Sequence, residues 1–342
     1  MTTDVDKLGL PAGVRDPLES ATAGGPPQLL PAEAELAALR SAAHAEIAKI
    51  VLSHDDAIEA TLIAALAGGH VLLEGPPGTA KTLLAAAMAR VLGVPFKRVQ
   101  FTPDTSPTEI VGRTIRVGGE ARFEPGIVFT NVLLADEINR TPPRTQAALL
   151  EAMQEGHVTV DGKIHWLTPP FIVIATQNPF EHEGIFALPE SQLDRFFVKV
   201  VLEYGSEEDE LRMLTIPHRG ISSDMLGDVR PLIAEGRFLI LQEAVDDTFV
   251  PDAVARFLIN VVRRTRELPG VRLGASPRSA IHLLAAAKAK ARLSGRDHAT
   301  VDDVAAMAPL VLRHRVIADA ADPADVVREA VEAALPAAVA DR

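Results

Sequence analysis

One loop carries the residues of this sequence whose chemistry is easiest to interpret. It follows the apolar run Val71-Leu72-Leu73, precedes a helix-like stretch from Leu83, and reads Gly75-Pro76-Pro77-Gly78-Thr79-Ala80-Lys81-Thr82. A strand, a tight loop and a helix in this order form a cradle whose backbone N–H groups bind phosphates. The loop therefore predicts a nucleoside triphosphate site. Lys81 would reach the β- and γ-phosphates there, and the Thr82 hydroxyl would hold Mg²⁺.

Ala80 is the one departure from the strict form of this loop, which has a glycine before the lysine. Because alanine tolerates helical dihedral angles, we expect Ala80 to be helical and the loop still to close. A position that needs a positive φ would accept alanine less easily. A chance turn before a helix is the alternative interpretation, and the acids further along the chain argue against it.

Two adjacent acids follow a predicted strand. The apolar run Val132–Ala135 leads directly into Asp136 and Glu137. In a phosphate-transfer site, Asp136 can hold Mg²⁺ through its water shell, and Glu137 can orient and polarise the attacking water. Alone, the pair would more simply be solubilising charges at the end of a strand. Together with the phosphate loop, it indicates a hydrolytic site.

Three further polar residues are candidates for the same site. Asn178 follows the buried run Phe171–Ala175 and could sense which nucleotide is bound, although Asn before Pro is also common in turns. Arg195 is either a surface ion-pairing residue or an arginine that projects into a neighbouring subunit's site and stabilises transition-state charge. Arg278 follows Ser276, a suitable N-cap, and lies where a helix dipole disfavours a cation, which indicates a functional role.

The elements that must position these residues alternate between strand and helix. We predict strands at His70–Glu74, Phe96–Phe101, Val132–Ala135, Phe171–Ala175 and Phe197–Leu202. This alternation predicts a parallel sheet between helices, with ligands at the carboxyl ends of the strands. Two glycine-turn hairpins, Ile115–Phe123 and Val158–Leu167, are predicted to interrupt the alternation.

The chain is predicted to divide into four regions. Residues 1–30 are rich in Pro, Gly and small polar residues, which predicts a disordered arm. Residues 31–204 form the α/β domain. Residues 205–335 show helical patterns without strong strand signals and are predicted to form an all-helical second domain, and residues 336–342 are predicted to be a tail.

The composition limits the classes of protein to consider. The 342 residues include no cysteine and carry a formal net charge of −12. We therefore expect no disulfide or thiolate metal site, and no general attraction to nucleic acid or anionic membranes. The sequence shows no apolar run of about 18 residues and no leader-like start, which favours a cytoplasmic protein without membrane insertion. The ten histidines form no persuasive metal site.

Taken together, these segments resemble the AAA+ ATPases and, more narrowly, the MoxR family. The resemblance covers about Glu46 to Arg315, and its most specific stretch, Leu133–Gln154, reads LLADEINRTPPRTQAALLEAMQ. It continues with IATQNPFEHEGIFALPESQLDRF and later with GASPRS and LRHR. The resemblance implies an α/β fold, in which a P-loop domain with a parallel sheet and two β-hairpin inserts precedes an all-helical lid. It also implies a homo-oligomeric, hexameric ring that uses ATP and Mg²⁺.

The resemblance also assigns roles to the candidate residues. It places Lys81 and Thr82 in Walker A, Asp136 and Glu137 in Walker B, Asn178 at sensor 1, Arg195 at the arginine finger and Arg278 at sensor 2. The family carries alanine at the position of Ala80. It usually carries a Gly-Gln pair where this chain has Ser53-His54, so nucleotide affinity or the hinge there is expected to differ.

Several functions fit these features. The resemblance implies ATP-driven remodelling of partner complexes, including insertion of metal cofactors, beside proteins with von Willebrand factor A domains. The alternatives are a nucleotide-gated scaffold with negligible hydrolysis, and a magnesium-chelatase-like motor subunit. A nucleic-acid motor is disfavoured by the acidic balance and by an aromatic content of 4%. The client, the ring size and the role of the N-terminal arm stay open.

Overall fold

A parallel five-stranded sheet forms the centre of the first half of the described structure. The computed structural model describes residues 31–180, 185–215 and 225–340; the predicted arm lies outside them. The strands are β1 (Val71–Glu74), β2 (Phe96–Gln100), β3 (Gly112–Val117), β4 (Glu120–Pro125), β5 (Val132–Asp136), β6 (His157–Val160), β7 (Lys163–Trp166), β8 (Ile172–Gln177), β9 (Val198–Val201), β10 (Val271–Leu273) and β11 (Ile317–Ala318). The sheet has the order β2-β5-β8-β1-β9, and every neighbouring pair is parallel. The predicted parallel sheet is confirmed.

Helices cover this sheet and make up most of the rest of the described residues. They are α1 (Ala32–Ile47), α2 (Asp55–Leu66), α3 (Lys81–Val91), α4 (Pro107–Val111), α5 (Pro143–Glu155), α6 (Glu190–Leu193), α7 (Glu207–Thr215), α8 (Arg237–Asp246), α9 (Asp252–Arg264), α10 (Pro277–Leu293), α11 (Val301–Leu312) and α12 (Pro323–Ala340). None of these described helices has both the length and the apolar composition needed to cross a bilayer.

The core lies on both faces of the sheet, because successive strand residues point to opposite sides. In β1, Val71 and Leu73 belong to one buried apolar cluster, and Leu72 belongs to the other. Leu133 and Leu134 of β5 divide between the two clusters in the same way. Strands buried on both faces read as continuous apolar runs, which explains why the sequence reveals them so clearly.

Two hairpins project from this scheme, as predicted. Strands β3 and β4 join at Gly118 and Gly119, and strands β6 and β7 join at Asp161 and Gly162; all four turn residues have positive φ. The ring of Phe123 stacks on that of His165 with centroids 3.7 Å apart, so the two hairpins contact each other.

The second half is a helical lid with one addition to the prediction. Strands β10 and β11 form a small antiparallel sheet where the sequence shows no strand signal. Strands of two or three residues are too short to produce an alternating pattern, and their pairing depends on tertiary contacts. Helix α12 continues through residue 340.

His70, which precedes β1, makes the stability of the fold depend on pH. Its Nδ1 accepts a hydrogen bond from the Val173 N–H, and its Nε2 donates to the Met153 carbonyl, each at 3.0 Å. Protonation would place a second N–H against the N–H of Val173. Burial away from water also disfavours the charged ring, and it lowers the pKa of His70 from 6.5 to about 4.

We expect the free energy of unfolding to fall as the pH drops from 6.5 towards 4. The unfolded chain binds a proton at His70 in this range and the folded chain does not, so acid favours unfolding by about 2 kcal/mol at pH 5. Burial lowers the pKa of His282 and His314 too, which adds to the loss. The Arg230 hydrogen bond lowers the pKa of Glu46 to about 2. Protonation of this carboxylate therefore lowers the free energy of unfolding only at lower pH. Urea unfolding at pH 7, 6 and 5 would measure the effect, and an equal pH dependence in His70→Asn would contradict it.

Candidate functional site

The phosphate loop folds around its own lysine between β1 and α3. The Lys81 ammonium donates to the carbonyl oxygens of Gly75 and Pro76 at 2.9 and 2.7 Å. The Thr79 hydroxyl donates to the same Pro76 carbonyl at 2.9 Å. The ammonium is thus held at the carboxyl end of β1, beside the N-terminus of α3, where backbone N–H groups favour an anion.

Positions 75 and 78 of the loop require glycine for two different physical reasons. At Gly75, a Cβ atom would lie 2.4 Å from the Leu202 carbonyl oxygen, so the chain that leaves β9 requires a residue without a side chain. At Gly78, no atom lies within 4 Å of the Cβ position, but φ is +86°. This left-handed backbone favours glycine.

Ala80 adopts a conformation that the sequence interpretation did not expect. Its φ and ψ are 57° and 19°, so it is left-handed where a helical residue was predicted. It immediately precedes the first residue of α3, and the turn of the loop into the helix determines the backbone there. Intrinsic preference is overridden by this local geometry. A non-glycine residue in this region costs about 1–2 kcal/mol.

We expect Ala80→Gly to raise the free energy of unfolding by about 1 kcal/mol, since glycine relieves the left-handed strain. The matched control is Ala38→Gly, at an exposed position inside α1, which we expect to destabilise by about 1 kcal/mol. Chemical unfolding of the two variants beside the parent chain measures both effects. Destabilisation by Ala80→Gly would contradict the strained conformation.

The adjacent acids lie at the end of β5, as predicted, and β8 holds them. The Thr176 hydroxyl donates to Asp136 Oδ1 at 2.6 Å and accepts the Glu137 backbone N–H at 2.9 Å. The Thr82 hydroxyl lies 3.4 Å from Asp136 Oδ2. The fold therefore brings together the end of β5, the end of β8 and the start of α3.

These oxygens suit the ion that the loop implies. A hydroxyl and a carboxylate, Thr82 and Asp136, lie side by side, and Asp136 is 8% exposed. Mg²⁺ is usually bound through one or two such oxygens, with waters and phosphate oxygens as the remaining ligands. The residues present therefore fit a Mg²⁺ site.

Glu137 has an unusual backbone and lies beside an arginine. Its φ is +58°, and it leads into the 3₁₀ turn Ile138–Arg140. Its carboxylate lies 3.3 Å from the Arg140 guanidinium, without hydrogen-bond geometry at Oε2 in the described part of the chain. Strained backbone of this kind persists where the surrounding structure determines it. The Thr176 hydrogen bond to the Glu137 N–H is one such determinant.

Asn178 is placed in the turn that the sequence left as its alternative interpretation. It is 7% exposed, and its Oδ1 accepts the Phe180 N–H at 3.1 Å. This is the hydrogen bond of an Asx turn. Its role as a nucleotide sensor stays a prediction, in which the side-chain amide would contact phosphate through its N–H groups.

The two candidate arginines lie on other elements than the cluster residues. Arg195 is half-buried after α6, and Arg278 is exposed in the first turn of α10, where Ser276 caps the helix as predicted. In residues 31–180, 185–215 and 225–340, neither arginine side chain forms a hydrogen bond or an ion pair with the phosphate loop or with the two acids. One chain therefore brings Lys81, Thr82, Asp136 and Glu137 into one region, without contacts from the arginines.

Two residues of the cluster were missed by sequence reasoning. Thr176 was visible only as a polar residue at a strand end. Arg98 of β2 donates to Asp136 Oδ2 from Nη2 at 2.7 Å and from Nε at 3.2 Å. Its contact follows from the register of β2 against β5, in which Gln100 pairs with Asp136, and no motif signals that register.

Comparisons with known proteins identify the family of this chain. A sequence model of the ATPase family associated with various cellular activities (AAA) matches residues 70–198, and a model of the AAA lid domain matches residues 263–342. The chain is 44% identical to the uncharacterized protein YeaC of Bacillus subtilis, over 79% of this chain and 84% of that protein.

Two further proteins are similar over most of their lengths. Chaperone MoxR1 of Mycobacterium tuberculosis is 42% identical, over 80% of this chain and 74% of that protein. A crystal structure of a candidate ATPase from Cytophaga hutchinsonii superposes with a TM-score of 0.78 at 34% identity, covering 89% of this chain and 96% of that one. This chain therefore belongs to the MoxR family of AAA+ ATPases.

Proposed function

We propose that this chain binds ATP with Mg²⁺, hydrolyses it to ADP and phosphate, and uses the turnover to remodel or mature partner protein complexes. The observation that carries the proposal is the group formed by Thr82, Asp136, Thr176 and Glu137, connected by contacts of 2.6 to 3.4 Å. A module that only binds nucleotide has no need of a glutamate held beside its Mg²⁺-binding acid.

Each residue of the site has a distinct role in this proposed mechanism. Lys81 and the N–H groups of residues 75–82 bind and orient the phosphates. Mg²⁺ supplies positive charge that offsets the charge of the phosphoryl group. Glu137 orients and polarises the attacking water, and Thr176 holds both acids in position because its hydroxyl contacts each of them.

The positions of the arginines support a site that two subunits complete. In the described residues, the Arg195 side chain forms no hydrogen bond or ion pair with the cluster of its own chain. A guanidinium is suited to stabilise charge on a transferring phosphoryl group. We assign Arg195 to the neighbouring subunit's site and Arg278 to a lid contact with the nucleotide. A closed homo-oligomeric ring, which we propose to be hexameric and cytoplasmic, provides such neighbours.

Family membership supports a proposal for the general biological role. One relative is named Chaperone MoxR1, and we propose a chaperone-like action here, beside a partner that carries a von Willebrand factor A domain. Insertion of a metal cofactor is one form that this maturation could take. We also propose that the lid begins near residue 205, after β9 and before α7 (Glu207–Thr215).

The proposal is tested by measuring phosphate release from ATP by the purified chain, with Mg²⁺ and with excess EDTA. We expect turnover that requires Mg²⁺ and is lost in Lys81→Ala together with nucleotide binding. The absence of turnover in the parent chain, with binding retained, would contradict hydrolysis and favour a nucleotide-gated scaffold.

A further inference from the structure

The LRHR motif of the lid has no role in the site described so far. It covers residues 312–315, and Arg315 lies at the end of the 3₁₀ turn that follows α11. Arg315 is 6% exposed, which is unusual for an arginine. A guanidinium buried to this extent must have most of its five N–H groups paired.

The partners of Arg315 lie on both sides of Arg195. Its Nε donates to the Asp194 carboxylate at 2.7 Å, and its Nη2 donates to the Phe196 carbonyl at 2.6 Å. Nη1 contacts the Phe197 carbonyl at 3.3 Å. The neighbouring His314 reinforces this contact, since its Nε2 donates to the same Phe196 carbonyl at 3.0 Å.

The chain around Arg195 depends on these donors. Residues 194–197 lie between α6 (Glu190–Leu193) and β9 (Val198–Val201), so regular helix or strand pairing does not hold their carbonyl groups. Phe196 and Phe197 are buried, and a buried carbonyl without a donor is costly. The planar guanidinium satisfies several of these acceptors at once and thereby fixes the backbone that carries Arg195.

A contact with α10 extends the network towards Arg278. Arg315 Nη2 donates to His282 Nδ1 at 2.6 Å. Because arginine is only a donor, the His282 ring must be neutral with its proton on Nε2. His282 lies four residues after Arg278 in α10, so both residues are on one face of that helix. Arg315 thus lies between the segment that carries Arg195 and the helix that carries Arg278.

We propose that Arg315 is a positioning residue that couples the lid to Arg195: a shift of α10 at Arg278 is transmitted through His282 and Arg315 to the segment 194–197. In a ring, this links the nucleotide seen by one subunit's lid to the arginine that the same subunit presents to its neighbour. The inference rests on the proposed role of Arg195 in the neighbouring site.

The test uses Arg315→Lys, which keeps the charge but loses the planar donors. We expect kcat for ATP to fall by roughly 10²-fold, since small displacements of a catalytic group have effects of that size. The Kd for ATP is expected to stay within about twofold, because Arg315 does not contact the phosphate loop. Arg313→Lys is the matched control: Arg313 is the other arginine of the motif, and its Nη2 lies 3.8 Å from the Asp322 carboxylate. We expect this variant to retain the parent kcat.

Mixed rings separate positioning from a merely structural role. Subunits with Glu137→Gln cannot hydrolyse ATP but present an intact Arg195, so we expect them to restore turnover to Arg315→Lys subunits. Where Arg315→Lys does not fold, His282→Leu breaks the α10 contact and leaves the Asp194 pair in place. We expect the same fall in kcat and the same restoration for that variant.

The outcomes distinguish this inference from the function on which it rests. Parent-level kcat in Arg315→Lys, or in His282→Leu if that is the variant tested, contradicts the inference while Arg195→Ala stays inactive. A fall in kcat that Glu137→Gln subunits do not restore also contradicts it. Turnover that is absent in the parent chain, or unchanged in Arg195→Ala, would instead overturn the proposed function.

Discussion

Glu137→Gln is expected to reduce steady-state ATP turnover by ~10²–10⁴-fold while ATP binding is retained. The amide preserves the shape of the side chain but cannot polarise water as a carboxylate does, and proton transfer by such a group typically contributes 10²–10⁴-fold. The Thr176 hydrogen bond reaches the Glu137 backbone N–H and is independent of the side chain. The arrangement of Asp136 should therefore survive the substitution. Phosphate release and fluorescent-nucleotide binding measure the two effects separately.

Glu151→Gln provides the matched control. Glu151 is an exposed acid on α5, so the same change of charge is made away from the cluster, and we expect parent-level turnover. Unchanged turnover in Glu137→Gln would remove the role assigned to Glu137. Loss of binding together with turnover would show instead that the substitution disturbs the phosphate site.

Arg195→Ala should give the second large effect, a loss of ~10³-fold or more in turnover with binding intact. In the described residues, the Arg195 side chain forms no hydrogen bond or ion pair with the acids of its own chain, so its loss should leave the local cluster unchanged. If Arg195 acts in the neighbouring site, mixing with Glu137→Gln subunits should restore activity. Where a Glu137→Gln subunit presents its arginine to the site of an Arg195→Ala subunit, that site combines an intact glutamate with an intact arginine.

The control for this experiment is Arg256→Ala, which removes an exposed arginine from α9. We expect this variant to keep parent-level turnover, alone and in mixtures. Failure of Glu137→Gln subunits to restore Arg195→Ala, in rings shown to contain both, would argue against action across the interface. Arg195 would then act within its own chain, or only stabilise the fold.

The sheet and the phosphate loop were predictable because their signals are local. Strands buried on both faces read as apolar runs. Asp136 and Glu137 come directly after one such run, and Lys81 lies in the loop that follows another. The residues that contact Asp136 were harder to predict from the sequence. Arg98 and Thr176 reach it across strands from 38 and 40 residues away, so their roles depend on sheet order and register.

Backbone conformation was the least predictable feature. Ala80 and Glu137 both have positive φ, which neither residue type favours. In each case a turn between a strand and a helical segment determines the conformation, and the residue type does not reveal it. The network around Arg315 was hidden for a related reason, since LRHR has no recognisable chemistry until the fold places it beside residues 194–197.

The most direct test of a site shared between subunits is ATP turnover across a wide range of protein concentrations, with light scattering to report the oligomeric state at each one. We expect the activity per subunit to rise with concentration and to follow the fraction of chains in rings, because dilution removes the neighbour that supplies Arg195. Monomers that hydrolyse ATP as fast as rings would contradict this account, since the site would then be complete within one chain.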